Sequence, residues 1–225
     1  MIAIIPARSG SKGIPNKNIM DFNGKPLIYN TIKAAKNSNM IDRVFVSTDS
    51  KEIAEISMSY GAESPFLRPP ELAEDTSLLN DTLKFMIQRL ELTFAKALDS
   101  IIVLQPTSPL RNNDDIDNAI NLFYEKGPDS VISYVQASQP ISWHKGIGED
   151  GQIIGYSNQK FSNRQDHTMT YYPNGAIYIL SRKMIFSDLF YSKKTYAYLM
   201  PKERSVDIDD LSQFRYAEYL AREQI

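Results

Sequence analysis

The sequence predicts an α/β fold with a mostly parallel sheet covered by helices. Three observations carry this. Short β-branched runs alternate with segments of helical period. The runs are apolar without a two-residue alternation, as expected for strands buried on both faces. The segments after three of them, Ala7–Asn18, Thr48–Ser50 and Gln105–Arg111, are polar and chemically unusual, and parallel sheets bind ligands at the carboxyl ends of their strands.

In chain order, Ile2–Pro6 reads as a strand and Pro26–Lys36 as a helix with Pro26 in its first turn. Arg43–Ser47 is a second strand. Ser50–Tyr60 is a helix closed by Gly61. Ser77–Ala95 is a longer helix, Ser100–Leu104 a third strand, Asp114–Glu125 a helix closed near Gly127-Pro128, and Ser130–Val135 a fourth strand. Residues 136–172 are polar and aperiodic, with a Gly148–Gly151 turn, and read as an inserted arm. Tyr172–Gly175 carries a turn signal. The pattern resumes with strands at Gly175–Leu180 and Thr195–Met200 and a helix at Leu211–Arg222. The expectation is one domain over 1–225 with the arm inserted at about 136–172.

Composition removes several functions. A net charge of −2 provides no global basic field for nucleic acid. The chain has no cysteine and only two histidines, His144 and His167, which argues against disulfides, zinc and histidine-dependent hydrolysis. No apolar run is long enough to span a membrane, and no signal peptide is visible. The expected location is cytoplasmic.

Two stretches point to phosphate chemistry. Ala7–Asn18 (ARSGSKGIPNKN) combines Gly10 and Gly13 with Arg8, Ser9, Ser11, Lys12 and Lys17. Such a loop can be a solvated turn or an anion cradle of backbone and side-chain donors. It matches neither G-x-x-x-x-G-K-[ST] nor G-x-G-x-x-G. Near the other end, in Val206–Asp210, an extended backbone puts Asp207 and Asp209 on one face, with Val206 and Ile208 opposite. Two carboxylates beside phosphates suit Mg²⁺. Asp210, just before a helix, reads as its N-cap. Ser47-Thr48-Asp49 also has the look of a helix cap. Gln105–Arg111 is a stiff polar loop with donors and acceptors.

At these residues the chain resembles the acylneuraminate cytidylyltransferases, the CMP-sialic acid synthetases. The blocks are Ile5–Gly13 with Lys17-Asn18, Val46–Asp49, Leu67–Pro69, Asp75-Thr76, Leu104–Arg111, Pro173–Tyr178 and Val206–Asp209. The resemblance implies a Rossmann-like nucleotidyltransferase domain that dimerises through its insert. The implied reaction transfers CMP from CTP to the anomeric hydroxyl of a nonulosonate, either N-acetylneuraminate or a legionaminate or pseudaminate relative, and releases pyrophosphate. It also implies that Arg8, Ser9, Gly10, Ser11, Lys12, Lys17, Asn18, Arg68, Asp75 and Ser77 hold the nucleotide. Asp207 and Asp209 would bind Mg²⁺ and, with Arg8 and Lys17, form the catalytic set. Gln105, Arg164, Tyr178, Phe190 and Tyr191 would take the sugar, with Arg164 on its carboxylate. One departure concerns the sugar: a family lysine falls at about Ser142, and the nearest lysine here is Lys145. The alternatives are a 3-deoxy-manno-octulosonate-type nucleotidyltransferase, a GT-A-type glycosyltransferase, or a non-catalytic nucleotide-binding module.

Overall fold

The structure is a computed structural model describing residues 1–10, 13–155, 163 and 167–223. Its centre is a six-stranded sheet. Strands β1 (Ile2–Pro6), β4 (Arg43–Ser47), β5 (Ser100–Leu104), β6 (Ser130–Gln136), β9 (Tyr171–Ser181) and β10 (Thr195–Leu199) lie in the order β10-β6-β9-β5-β1-β4. β1 pairs parallel with β4 and β5, and β10 parallel with β6. β9 runs antiparallel between β5 and β6. Two small hairpins complete the strands: β2 (Asp21–Phe22) with β3 (Lys25–Pro26), and β7 (Gly146–Ile147) with β8 (Ile153–Ile154).

The apolar strands do fill both faces. Ala3, Ile5, Val44, Val46, Ile102 and Leu104 pack under α1 (Leu27–Lys36), α2 (Lys51–Ser59) and α4 (Asn113–Lys126). The alternate residues Ile4, Phe45, Ile101 and Val103 pack on the other face, under α3 (Leu79–Phe94) and α5 (Arg182–Phe186). This two-sided burial is why the strands read as continuous apolar runs. A third cluster joins α6 (Leu211–Glu223), through Phe214 and Ala217, to Ile14, Phe22, Leu27, Leu110 and Ile208. It pins the first loop and the Val206–Asp210 segment together beside the sheet.

Capping explains most helix boundaries. Asn112 and Asp115 form a reciprocal capping box at α4, and Gly127 closes it in the left-handed conformation. Ser50 caps α2 by accepting from the Ile53 N–H. At α6, Asp210 accepts from the Gln213 N–H while the Gln213 side chain reaches back to the Asp210 N–H, so Asp210 is the cap its position suggested.

Three expectations need correction. Pro26 is not in the first turn of α1; it is the extended residue before it and pairs in β3. The long helix begins at Leu79, not Ser77. Tyr172–Gly175 is not a turn but part of β9, which starts four residues earlier than the apolar pattern indicates. The irregularity that mimicked a turn is a bulge: Pro173 pairs with Tyr134 and Tyr178 with Ile132, and Gly175 supplies the positive φ of 74°. Among the described residues, no helix is long and apolar enough to cross a membrane.

Candidate active site

A cavity of about 490 Å³ opens at the carboxyl ends of β1 and β5. Its walls include Arg8, Lys17 and Asn18 from the first loop, Arg68, Leu72, Glu74, Asp75 and Ser77 from the segment after α2, and Gln105–Thr107 after β5. Leu79 and Thr82 of α3 and Asp209 complete it. Neither histidine is a wall residue.

The described residues of the first loop are tied into the fold by hydrogen bonds. Ala7 N–H donates to the Ser47 carbonyl (2.9 Å), carrying the parallel pairing one residue past β1. The Asn18 amide donates to the Arg8 carbonyl (2.9 Å). Arg8 pairs with Asp75 at 2.8 Å. Ser9 gives both its backbone N–H and its hydroxyl to Asp49. Asp49 is therefore not the helix cap that its position suggested, since Ser50 does that work.

Arg68 is 6% exposed, yet its Nε and Nη2 have no hydrogen-bond partner. Its Nη1 donates to Thr82 (3.1 Å), and Asp49 stands 3.8 Å from Nη2. Burial lowers its pKa, against the pull of Asp49. A buried cation with spare donors on a cavity wall is a ready receptor for an acceptor-rich ligand.

The carboxylate pair meets the first loop directly. Lys17 donates to the Ile208 carbonyl at 2.5 Å. Burial lowers the Lys17 pKa, opposed by the nearby Asp209 and Asp207. Burial raises that of Asp207, a Thr107 hydrogen bond counteracts it, and Asp209 raises it further. Asp207 Oδ1 is buried without a hydrogen-bond partner. Ile208 is fully buried and Val206 packs on the same cluster, as the alternation requires. Two glycines permit this approach. A Cβ on Gly13 would lie 2.0 Å from the Asp209 carbonyl oxygen, and one on Gly175 would lie 2.8 Å from Asp207 Oδ2. Asp209 also borders a second cavity of about 410 Å³, walled by Asp207, Tyr172, Asn174, Lys202 and Tyr216.

The loop after β5 is held from beneath. Arg111, 2% exposed, donates to the carbonyls of Ala176 (2.8 Å) and Gln105 (3.3 Å) and to Thr31 (2.8 Å). Burial pushes its pKa down to about 9. Ile208 N–H donates to the Thr107 carbonyl (2.9 Å), tying the carboxylate segment to this loop. Below it, Arg204 makes a two-pronged bond to the fully buried Asp115.

Of the residues expected at the site, Arg8, Lys17, Asn18, Arg68, Asp75, Ser77, Gln105 and Asp209 line the first cavity. Ser9 and Gly10 are not among its wall residues, and Asp207 lines the second. Tyr178, Phe190 and Tyr191 form a separate group: the Tyr178 and Phe190 rings meet edge-on at 6.0 Å, and Tyr191 is 3.2 Å from the Tyr134 hydroxyl. Ser11, Lys12 and Arg164 lie outside the described residues. In the arm, Lys145 reaches back to the Ser142 carbonyl at 2.7 Å. Sequence reasoning missed Leu72, Glu74, Leu79 and Thr82 as wall residues. Its clues to that region were Arg68, Asp75 and Ser77, which signal a site in the segment that these residues belong to or adjoin.

Comparison with known proteins agrees with this architecture. The family model described as cytidylyltransferase matches residues 2–225. An N-acylneuraminate cytidylyltransferase of Streptococcus agalactiae serotype V is 38% identical over 217 residues, covering 95% of this chain and 51% of the relative. The chain thus spans about half the length of that curated protein. A CMP-N,N'-diacetyllegionaminic acid synthase of Legionella pneumophila is also 38% identical, with 93% and 90% coverage. A pseudaminic acid cytidylyltransferase of Campylobacter jejuni is 32% identical, with 97% and 95% coverage. Among solved structures, a CMP:2-keto-3-deoxy-manno-octonic acid synthetase complexed with CTP superposes with a TM-score of 0.71 at 16% identity, covering 100% of this chain and 99% of its own; at that identity the likeness is one of fold. The match over the whole sheet, the first loop and the carboxylate segment means that this chain belongs to the cytidylyltransferase family.

Proposed function

We propose that the protein transfers CMP from CTP to the anomeric hydroxyl of a nonulosonate and releases pyrophosphate. One observation supports this reading: Lys17 and Asp209 line one cavity with Arg8, Asn18 and Arg68, and Asp207 stands within electrostatic reach of Lys17. Cations for a triphosphate and carboxylates for a cation then lie side by side, as phosphoryl-type transfer needs. The names of the relatives at 32–38% identity support the substrate class.

In this reading Arg68, Asn18, Asp75 and Ser77 hold the nucleoside end of CTP, and Arg8 and Lys17 neutralise its phosphates. Ser9, Gly10, Ser11 and Lys12 belong to the same cradle. The sugar's anomeric oxygen forms a bond to the α-phosphorus and gives up its proton. The bond from that phosphorus to the bridging oxygen breaks, and pyrophosphate leaves with the electron pair. Arg8 and Lys17 stabilise the negative charge that accumulates on phosphate oxygens, the largest single term in such reactions. Gln105, Arg164, Tyr178, Phe190 and Tyr191 hold the sugar. Gln105 lies on the cavity wall, its backbone carbonyl held by Arg111.

The carboxylate pair fits a divalent cation, with Mg²⁺ the proposed ion. Asp207 Oδ1 is buried without a hydrogen-bond partner, and burial, with the charge of Asp209, opposes ionisation of Asp207. Asp207 and Asp209 would hold the ion; when bound, it neutralises phosphate charge.

A homodimer completes the reading. Ile141, Trp143, Ile147, Ile153 and Ile154 are all exposed on the arm, a set that a second copy would cover. Sedimentation at micromolar concentration tests it, and a purely monomeric profile would remove this part. A cytoplasmic location is also part of the reading, tested by cell fractionation.

The deciding assay is pyrophosphate release from CTP with Mg²⁺ across a panel of acidic sugars including N-acetylneuraminate, legionaminate, pseudaminate and 3-deoxy-manno-octulosonate. Release with a nine-carbon acid supports the proposal. Release with the eight-carbon acid alone supports the alternative, and CTP binding without release points to a non-catalytic module.

A further inference from the structure

We propose that Asp49 is a positioning residue for the nucleotide: without lining the cavity, it fixes the first loop and the Arg68 guanidinium in one relative geometry. The inference rests on reading the cavity as the CTP site.

Asp49 follows the tip of β4, which ties together two segments that otherwise meet through Arg8, paired with Asp75 and bonded to the Ala73 carbonyl. On one side, Ala7 N–H donates to the Ser47 carbonyl, and Ser9 donates twice to Asp49, from its backbone N–H at 2.9 Å and from its hydroxyl. On the other, Arg68 N–H donates to the Thr48 carbonyl (2.7 Å), and the Arg68 guanidinium stands 3.8 Å from Asp49 Oδ1. Both carboxylate oxygens accept from Ser9, and Oδ1 also faces the arginine. Asp49 is absent from the cavity walls, whereas Arg8 beside Ser9 and Arg68 itself are present.

The chemistry explains why an acid is needed there. Arg68 is buried, and its Nε and Nη2 are without hydrogen-bond partners. A buried guanidinium needs a counter-charge, and Asp49 supplies it at 3.8 Å from Nη2, beyond hydrogen-bond range. The carboxylate therefore offsets the charge of a cavity-wall arginine without locking it in a bidentate pair. The same carboxylate fixes Ser9, and with it the start of the glycine-containing turn. Ligand affinity depends on such preorganisation, because loop ordering is otherwise subtracted from binding.

Side chains that act through others differ from catalytic ones in what they change. Loss of Asp49 should weaken CTP binding while leaving turnover of the bound complex nearly intact. It should also leave the acceptor sugar untouched, because the hydrogen bonds and ion pair of Asp49 among the described residues go to Ser9 and Arg68, neither an expected sugar residue.

The test compares wild type with Asp49→Ala and the isosteric Asp49→Asn, measuring CTP Kd by calorimetry and KM for CTP and for sugar. The expected result is a rise in CTP Kd and KM of about tenfold or more in Asp49→Ala, on the scale of losing hydrogen bonds to a charged group. Asp49→Asn, which keeps one acceptor for Ser9, should fall between. The kcat and the sugar KM should stay within about threefold, as expected when binding shared by ground and transition states is lost. Unchanged CTP affinity in both variants overturns the inference, and so does an equal rise in both KM values, the mark of general loosening. Wild type that does not bind CTP overturns the reading of the cavity instead. If Asp49→Ala does not fold, Asp49→Asn decides alone.

Discussion

Lys17 donates its ammonium proton to the backbone carbonyl of Ile208, 191 positions away in the chain, which brings it within electrostatic reach of Asp207 and Asp209. A cation thus stands beside two acids, and the first loop and the carboxylate segment form one object. Replacing Lys17 with Met should lower kcat/KM for CTP by about 10²-fold, the scale for removing one preorganised charge. Steady-state kinetics with a thermal-melt control checks this. A loss below threefold would assign Lys17 a structural role only.

Removal of divalent cations should abolish pyrophosphate release, and added Mg²⁺ should restore it. Asp209→Asn should raise the Mg²⁺ concentration at half-maximal rate, because a carboxylate is a far better ligand for a hard cation than an amide. Titration of Mg²⁺ into chelator-treated wild type and variant reads both effects. An unshifted Mg²⁺ curve would move the metal elsewhere.

Gly13→Ala should cost on the order of 1 to 3 kcal/mol of stability, as overpacking does. The added Cβ would sit 2.0 Å from the Asp209 carbonyl, so one backbone must move. The activity loss should exceed that of Gly10→Ala, where a Cβ meets nothing within 4 Å. Parallel denaturation and rate measurements on the two variants check the order.

Arg204→Ala should destabilise the protein by about 3 kcal/mol, because it strips the two-pronged partner from a fully buried carboxylate. Among the described residues, the Asp115 carboxylate would keep the Tyr198 hydroxyl, the Asn112 N–H and the nearby charge of Arg111. Urea unfolding gives the value directly. A cost under 1 kcal/mol would mean that water replaces the guanidinium.

Asp49 also makes a prediction in pH. Burial pushes its pKa up, but the Ser9 hydrogen bonds and the Arg68 charge outweigh that and leave it below the ordinary aspartate value. A group lowered in the folded state gives stability that is fully present above the unfolded pKa, about 3.9, and is lost as the pH falls through the folded one. The stability gap between wild type and Asp49→Asn should be constant from about pH 5 to 7 and shrink below about 4. Urea unfolding across that range tests it, and a gap that widens in acid would reverse the sign.

The legible part of this protein was what repeats locally. Strands buried on both faces announced a covered parallel sheet, and the caps at Gly61, Gly127 and Asp210 followed from side-chain chemistry a few residues apart. The i, i+2 placement of Asp207 and Asp209 against Val206 and Ile208 also held. What could not be read depends on contacts distant in sequence. Pro173-Asn174-Gly175 imitates a turn because a bulge and a turn require the same glycine; only the pairing to β6 distinguishes them. Asp49 looked like a cap, since its real partner, Ser9, is 40 residues away. Thr82 and Leu79 reach the cavity from an ordinary helix, and no local pattern marks a helical residue as a wall.

The place of β9 in the sheet sets a constraint on how the chain can fold. Strands β4, β1 and β5 form one hydrogen-bonded group and β6 with β10 another; β9 alone joins them, pairing with both β5 and β6. Until residues 171–181 insert, β5 and β6 each present an open edge to solvent, and such edges invite pairing with other chains. This inner strand of the sheet is therefore synthesised after β4, β1, β5 and β6, with only β10 to follow, and those four strands must wait for it. Contacts this distant in sequence slow folding, so the interval between synthesis of β6 and docking of β9 is when a nascent chain of this protein is most exposed to aggregation and most dependent on chaperones.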